Sequence, residues 1–172
     1  MPTRFRMSTI FPSRYTMIES VGMPDDETAV ADSAYYGCSG LKSAVLPDGV
    51  LTIGSGAFRG CSSLEEINLP ASLQSIGADA YYGCSNVIEL NIPDGVTSIG
   101  NTAFKDCTEL RKVAIPDSVT TIGENAFMKV PAVQPLSLKG IKTLDGMTFK
   151  ASGITAVTFG PDLQAFGGGN RD

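Results

Sequence analysis

The chain has 172 residues, of which 42% are hydrophobic and 18% charged, and its formal net charge is −5. This length and apolar content suffice for one folded core, and no run of about eighteen apolar residues marks a membrane span. The net negative charge disfavours binding to nucleic acid or to anionic membrane surfaces, because proteins bind both of these through clustered Lys and Arg residues. We therefore expect protein partners, no nucleic acid and no membrane insertion.

Residues 1–29 form the first predicted segment. Several hydroxyl residues and three arginines precede the first acidic residue, Glu19, and no apolar core of a secretory signal is present. This favours an intracellular or organellar location, with the cell surface as the alternative. Apolar residues from Met7 onward fall on positions that repeat through the rest of the chain, which predicts that the segment contains a degenerate capping coil.

A sequence repeat begins at Val30. Four copies share one length, 30–52, 53–75, 76–98 and 99–121, and the next two, 122–143 and 144–165, are one residue shorter. A unit this short cannot bury its apolar edge alone, so stacked units must share one core. The period predicts a β-dominated α/β solenoid of about seven coils, with residues 30–165 as its body. Residues 166–172 are expected to start a further coil or form a flexible tail.

Each copy contains a short strand and a turn. In "EINLP", Ile67 and Leu69 flank Asn68 with period two, which predicts a strand with one face inward. On such a strand Glu65 and Glu66 would point to opposite faces. The "PDGV" and "PDSV" stretches predict turns. "AFRGC" predicts at most one helical turn, because glycine and serine follow it.

Four cysteines recur at one constant interval, the length of the longer copies: Cys38, Cys61, Cys84 and Cys107. This cysteine column is continued by Val130 and Ser152 and preceded by Tyr15. Cβ vectors of adjacent coils would run parallel, which strains a disulfide. We expect buried free thiols, with a metal or redox ladder as the alternative.

An aromatic column follows a small residue in each copy: Tyr35, Phe58, Tyr81, Phe104, Phe127 and Phe149. We expect these rings to stack edge to face inside the solenoid, with a ligand-binding strip as the alternative. The next column alternates aromatic and basic residues: Tyr36, Arg59, Tyr82, Lys105, Met128 and Lys150. Tyr36 and Tyr82 are candidate partner contacts, and a solvated edge is the alternative.

Residues that flank the inward positions of the predicted strand should face solvent. They form one column of Ser20, Ser43, Glu66, Glu89, Lys112, Pro135 and Ala156, and a second of Gly22, Val45, Asn68, Asn91, Ala114, Ser137 and Thr158. The candidate partner-binding residues on this face are Glu65, Glu66, Asn68, Glu89, Asn91, Arg111 and Lys112. A patch of this type could recognise a basic segment of a partner. A solvated sheet face is the alternative.

Five aspartates accompany turn prolines: Asp25, Asp48, Asp94, Asp117 and Asp162. Turn chemistry explains them. Calcium binding is the alternative, but it needs about six or more converging oxygen ligands. We therefore predict no metal and no cofactor.

The stretch "IGNTAFKDCTELRKVAIPDSVTT" at 99–121 resembles the BspA-like leucine-rich-repeat family, with its 23-residue repeats of the Treponema type. The resemblance covers residues 30–165 and extends faintly to residue 7. It implies a leucine-rich-repeat solenoid with a parallel sheet on its concave side and a second short strand near "VTSIG". For function it implies a binding scaffold, as in bacterial and protozoan surface adhesins that engage host or matrix proteins.

The sequence lacks the usual catalytic groups. It has no histidine, and no phosphate-binding or dinucleotide-binding glycine motif in a strand-to-helix setting. We therefore predict a non-catalytic protein-binding scaffold, an accessory or structural subunit docked on a larger assembly. A cell-surface adhesion module is the alternative. The apolar cross-section expected at "LQAFGGGNRD" makes the C-terminal end a candidate docking site for another subunit, with further repeats of a longer protein as the alternative.

Overall fold

The computed structural model describes residues 17–131 and 135–167. Tyr15 and the first positions of the predicted capping coil lie outside them. The strands are β1 (Ser20–Gly22), β2 (Ala29–Val30), β3 (Ser43–Val45), β4 (Thr52–Ile53), β5 (Ser75–Ile76), β6 (Glu89–Asn91), β7 (Ser98–Ile99), β8 (Lys112–Ala114), β9 (Thr121–Ile122), β10 (Leu136–Leu138), β11 (Thr143–Asp145), β12 (Val157–Phe159) and β13 (Ala165–Gly167). None of the described residues forms an α-helix. The predicted β-dominated solenoid is confirmed.

Two sets of strands run along the solenoid. The second short strand expected near "VTSIG" forms a continuous seven-stranded parallel sheet in the order β13-β11-β9-β7-β5-β4-β2. Its seven strands agree with the predicted number of coils. The strands of the "EIN" type form only two-stranded sheets, β1-β3, β6-β8 and β10-β12. The predicted strand at "EINLP" is wrong, because the structure has no strand between residues 65 and 69.

The register of the strands reproduces the repeat lengths read from the sequence. Thr52 pairs with Ser75, which is one full-length copy later, whereas Thr121 pairs with Thr143, which is one shorter copy later. Equivalent positions therefore lie side by side in successive coils. Each position of the repeat becomes a column along the solenoid axis.

The Ile-Gly step shows why the repeat needs its glycine. The side chains of Ile53 and Ile76 point into the core and are each 2% exposed. A Cβ atom on Gly77 would lie 2.8 Å from the backbone carbon of Gly54 and the backbone nitrogen of Ser55. This is closer than real Cβ atoms approach, so only glycine allows successive coils to stack at this corner.

The aromatic column lies inside the solenoid, as predicted, but the rings do not meet edge to face. Adjacent rings from Tyr35 to Phe149 have centroid separations of 5.0–5.7 Å and interplanar angles of 4–18°. Each coil repeats the backbone of the coil before it, so each ring takes the same orientation, shifted by one coil. The result is a parallel offset stack, which aromatic rings also favour.

The cysteine column consists of buried free thiols, as predicted. The Sγ atom of Cys61 donates a hydrogen bond to the Tyr35 carbonyl at 3.1 Å, and Cys107 does the same to Tyr81 at 3.3 Å. Burial raises the pKa of the Cys61 and Cys107 thiols to about 12. These thiols stay protonated at neutral pH and are not nucleophilic.

Candidate protein-binding face

The outward face of the "EIN" strands is interrupted in the coil that contains Ile67. The Glu65 N–H donates to the Lys42 carbonyl at 3.1 Å. Beyond that bond, the main-chain N–H groups of residues 66–69 and the carbonyls of residues 65–69 have no hydrogen-bond partner among the described residues. Strands β3 and β6 lie in the coils on either side and pair away from this segment. The segment therefore presents unpaired backbone groups between two intact pairs of strands.

A recess of about 490 Å³ opens at this interruption. Its lining consists of Glu65, Glu66, Ile67, Asn68, Ile88, Glu89 and Asn91. Five of these seven residues are candidate partner-binding residues from the sequence, and the structure brings them together. Glu65 and Glu66 were expected on opposite faces of a strand, but both line the recess, because the chain does not form a strand there.

Two apolar residues contribute to the recess. Ile67 is 9% exposed, whereas Ile88 is 57% exposed. Sequence reasoning treated Ile67 as a core residue and missed Ile88. The available signal was the repeat itself, since its constant interval places Ile88 in the column of Glu65 and Arg111. Ile88 therefore gives the charged column an exposed apolar side chain at the recess.

One carboxylate of the recess already has a cationic partner. The Lys112 Nζ atom lies 3.1 Å from Glu89 Oε2, and Asn91 Nδ2 donates to Glu89 Oε1, also at 3.1 Å. The hydrogen bonds from Asn91 and Lys112 lower the pKa of Glu89. Arg111 lies beyond the recess and pairs with Glu109 at 2.7 Å.

The carboxylates of Glu65 and Glu66 have almost no hydrogen-bond or ion-pair partners among the described residues. Asn68 Nδ2 lies 3.5 Å from Glu66 Oε2, at the long limit of a hydrogen bond. No described side chain forms an ion pair or hydrogen bond with the Glu65 carboxylate. The recess therefore combines two available carboxylates with an apolar wall.

Like charges lie opposite each other on the side of the recess that faces β6. Glu89 pairs in register with Lys112 of the next coil, and the ladder there is intact. The same interval places Glu66 opposite Glu89. Like charges directly opposite each other destabilise a pair of strands. On this face the ladder is formed where Glu89 meets Lys112 and is missing where Glu66 meets Glu89; it is also missing on the β3 side, where Ser43 lies opposite Glu66.

Tyr36 and Tyr82 lie in a separate column and do not line the recess. The Arg59 guanidinium lies 4.4 Å from the Tyr82 ring centre and 5.9 Å from that of Tyr36. Its Nη1 atom also lies 2.7 Å from Asp79 Oδ2. Hydrogen bonding to Asp106 raises the pKa of Tyr82. Arg59 and Tyr82 therefore already have polar partners within the chain.

Two further observations on the described residues concern metal binding and membrane insertion. No three His, Cys, Asp or Glu side chains there lie close enough together to hold a metal ion. The described part of the chain also contains no helix with the length and hydropathy needed to cross a membrane.

Comparison with known families identifies the repeat. The family model described as "BspA type Leucine rich repeat region (6 copies)" matches residues 9–133. The chain belongs to this family. Leucine-rich-repeat proteins commonly mediate protein–protein interaction and are typically non-catalytic scaffolds. No curated protein matches the chain.

Three solved structures resemble this leucine-rich-repeat chain closely. The Treponema pallidum leucine-rich-repeat protein is 29% identical with a TM-score of 0.75, and the match covers 83% of this chain and 73% of that one. A leucine-rich-repeat protein from Bacteroides ovatus is 32% identical with a TM-score of 0.77, over 84% and 38%. A leucine-rich cell surface protein from Faecalibacterium prausnitzii is 30% identical with a TM-score of 0.75, over 84% and 39%. The match therefore spans about two-fifths of the latter two proteins.

Proposed function

We propose that this chain is a protein-binding scaffold and that it binds a basic segment of a partner protein at the recess. The observation that carries the proposal is the lining itself. Glu65 and Glu66 are exposed carboxylates without a close ion pair among the described residues, and they lie beside the exposed side chain of Ile88. A cationic side chain with an apolar stem complements both features.

In the cell, this scaffold serves as an accessory or structural subunit docked on a larger assembly. A surface adhesion module is the second candidate, and the similarity to a leucine-rich cell surface protein supports it. Docking at the C-terminal coil stays a prediction, and Phe166, which is 62% exposed in β13, is the residue that would carry it.

The proposal is tested with charge-reversed variants and a basic probe. The probe is a twelve-residue peptide of repeated Lys-Gly-Ser, compared with the same peptide carrying Glu in place of Lys. The double variant Glu65→Lys with Glu66→Lys leaves the Glu89–Lys112 ion pair in place. The matched control, Asp117→Lys with Asp162→Lys, changes the net charge equally at exposed turn residues outside the recess.

We expect the lysine peptide to shift the amide NMR signals of residues 65–69 and 88–91. The recess variant should lose this response while the turn variant keeps it. Equal loss in both variants would mean that the peptide senses only the overall charge. That result, or a wild-type protein whose recess signals do not respond, would contradict the proposed function.

A further inference from the structure

The intact ladder beside the recess shows how this surface holds a cation. Lys112 occupies the outward column one coil after Glu89, and its Nζ atom reaches the Glu89 carboxylate at 3.1 Å. One coil earlier, the corresponding pair is Glu66 and Glu89, and no described residue forms an ion pair with Glu66. The recess lies at this position.

The recess contains more hydrogen-bond acceptors than the donors of one ammonium group can satisfy. Two carboxylates, Glu65 and Glu66, lack a close cation among the described residues. The carbonyls of residues 65–69 receive no hydrogen bond from any described N–H group. An ammonium group offers three donors at a single point, whereas a guanidinium offers five in a planar fork.

The shape of the lining also favours a side chain that carries a guanidinium group. The recess volume of about 490 Å³ is large enough for a whole side chain. The exposed Ile88 side chain offers apolar surface for a methylene stem, and the carboxylates offer a charged end. A long side chain with an apolar stem and a cationic tip matches this arrangement.

We infer that the recess is a specificity pocket for an arginine side chain of the partner, with the guanidinium on Glu65 and Glu66 and the stem against Ile88. This inference rests on the proposed function and narrows the basic segment to one residue type. The arginine supplies Glu65 and Glu66 with the cation that Lys112 supplies to Glu89. Its charge relieves the repulsion between the two carboxylates.

The test uses three heptapeptides with blocked ends, Ser-Gly-Thr-X-Thr-Gly-Ser, in which X is arginine, lysine or citrulline. Citrulline has nearly the shape of arginine without its charge. Each is titrated into the ¹⁵N-labelled full chain, and dissociation constants are taken from the amide signals of residues 65–69 and 88–91. We expect arginine to bind at least about fivefold more tightly than lysine, and citrulline not to saturate.

The variant Glu66→Gln removes one carboxylate and keeps the size of the side chain. It should abolish the preference for arginine over lysine, while Glu124→Gln, an exposed residue outside the recess, should leave it unchanged. Equal affinity for arginine and lysine would overturn the arginine inference and leave the basic-segment proposal standing. If none of the peptides shifts these signals and the lysine-rich probe also fails, both the inference and the proposed function are wrong.

Discussion

The Cys84 Sγ atom donates a hydrogen bond to the Phe58 carbonyl at 3.2 Å and thereby links one coil to the coil before it. Cys61 and Cys107 make the same bond one coil away on either side. Burial raises the pKa of these three thiols, and that of the Cys38 thiol, above its ordinary value. The cysteines therefore serve the packing of the coils, and their protonation is coupled to folding.

This coupling predicts alkaline lability. Because the thiol pKa is raised in the fold, the unfolded chain ionises first as the pH rises above about 9, and stability is lost from there through the folded pKa. Each such thiol lowers the free energy of unfolding by about 1.4 kcal/mol per pH unit, so four give at most about 6 kcal/mol per unit. Urea unfolding between pH 7 and pH 10.5 measures the slope.

The single variant Cys107→Val tests the origin of that slope. Val130 already occupies the next position of the column and is fully buried, so valine fits this environment. The thiol contribution to the slope above pH 9 should fall by about one quarter in the variant, while the contribution of the buried Tyr35 and Tyr81, whose pKa is also raised, stays the same. An unchanged slope would show that the thiols are not responsible.

Any side chain larger than hydrogen at position 77 is expected to clash with the preceding coil. In the variant Gly77→Ala, the added methyl group would meet the backbone of Gly54 and Ser55 at 2.8 Å, which forces the two coils apart. We expect a loss of about 2–3 kcal/mol in the free energy of unfolding, measured by chemical denaturation. The control is Gly49→Ala, whose new methyl group would lie 3.6 Å from the Glu27 carbonyl oxygen. It should change stability by less than about 1 kcal/mol, and similar losses in both variants would argue against the steric explanation.

Replacing Ala151 with glycine is expected to stabilise the fold, in contrast to the replacement of Gly77 with alanine. Its φ angle is 54°, in the left-handed region that disfavours residues with a Cβ atom. The equivalent positions in earlier coils include Gly60 and Gly83, which also have positive φ angles. The variant Ala151→Gly should therefore raise the free energy of unfolding by about 1 kcal/mol.

Ala156→Gly is the control for this prediction. Ala156 is also exposed and lies outside the positions with positive φ angles. Its replacement should lower stability by about 0.5–1 kcal/mol, because glycine loses more backbone freedom on folding. Thermal unfolding of both variants should therefore show shifts of opposite sign. Two shifts of the same sign would refute the role assigned to the backbone angle.

The interrupted ladder predicts opposite effects for two charge reversals in the column of Glu66, Glu89 and Lys112. Glu66→Lys places a cation opposite Glu89 and should stabilise the fold by about 0.2–1 kcal/mol. Lys112→Glu removes the ion pair with Glu89 and opposes two carboxylates, while it leaves Glu66 and Glu89 as they are, so it should destabilise the fold by a similar amount. Chemical denaturation at low salt measures both effects. Hydrogen exchange at residues 66–69 should slow only in Glu66→Lys, and unchanged exchange would mean that charge does not hold the recess open.

Much of the architecture could be read from the repeat. The two copy lengths predicted the pairings of Thr52 with Ser75 and of Thr121 with Thr143. The predicted burial of the cysteine and aromatic columns is confirmed for Cys61 and Phe58, which are both 0% exposed. These features follow from periodicity, because stacking a repeated unit brings equal positions into contact.

The details that depend on contact between coils were not predicted correctly. The rings of Phe58 and Tyr81 are 7° from parallel because the two backbones are copies of each other, which the composition of the column does not reveal. The segment at Ile67 has the alternation of a strand, yet it lacks strand pairing on both sides. Alternation reports which residues face inward, whereas pairing also requires compatible neighbours.

The solenoid, its register, its buried columns and the exposure of its acidic residues follow from the amino-acid sequence alone, because all of these repeat along the chain. That Glu65, Glu66 and Ile88 surround one recess depends on the folded arrangement of the coils. The reason is that the recess arises where the repetition fails. There, two adjacent coils place Glu66 and Glu89 opposite each other, and the segment at Ile67 pairs with the strand on neither side.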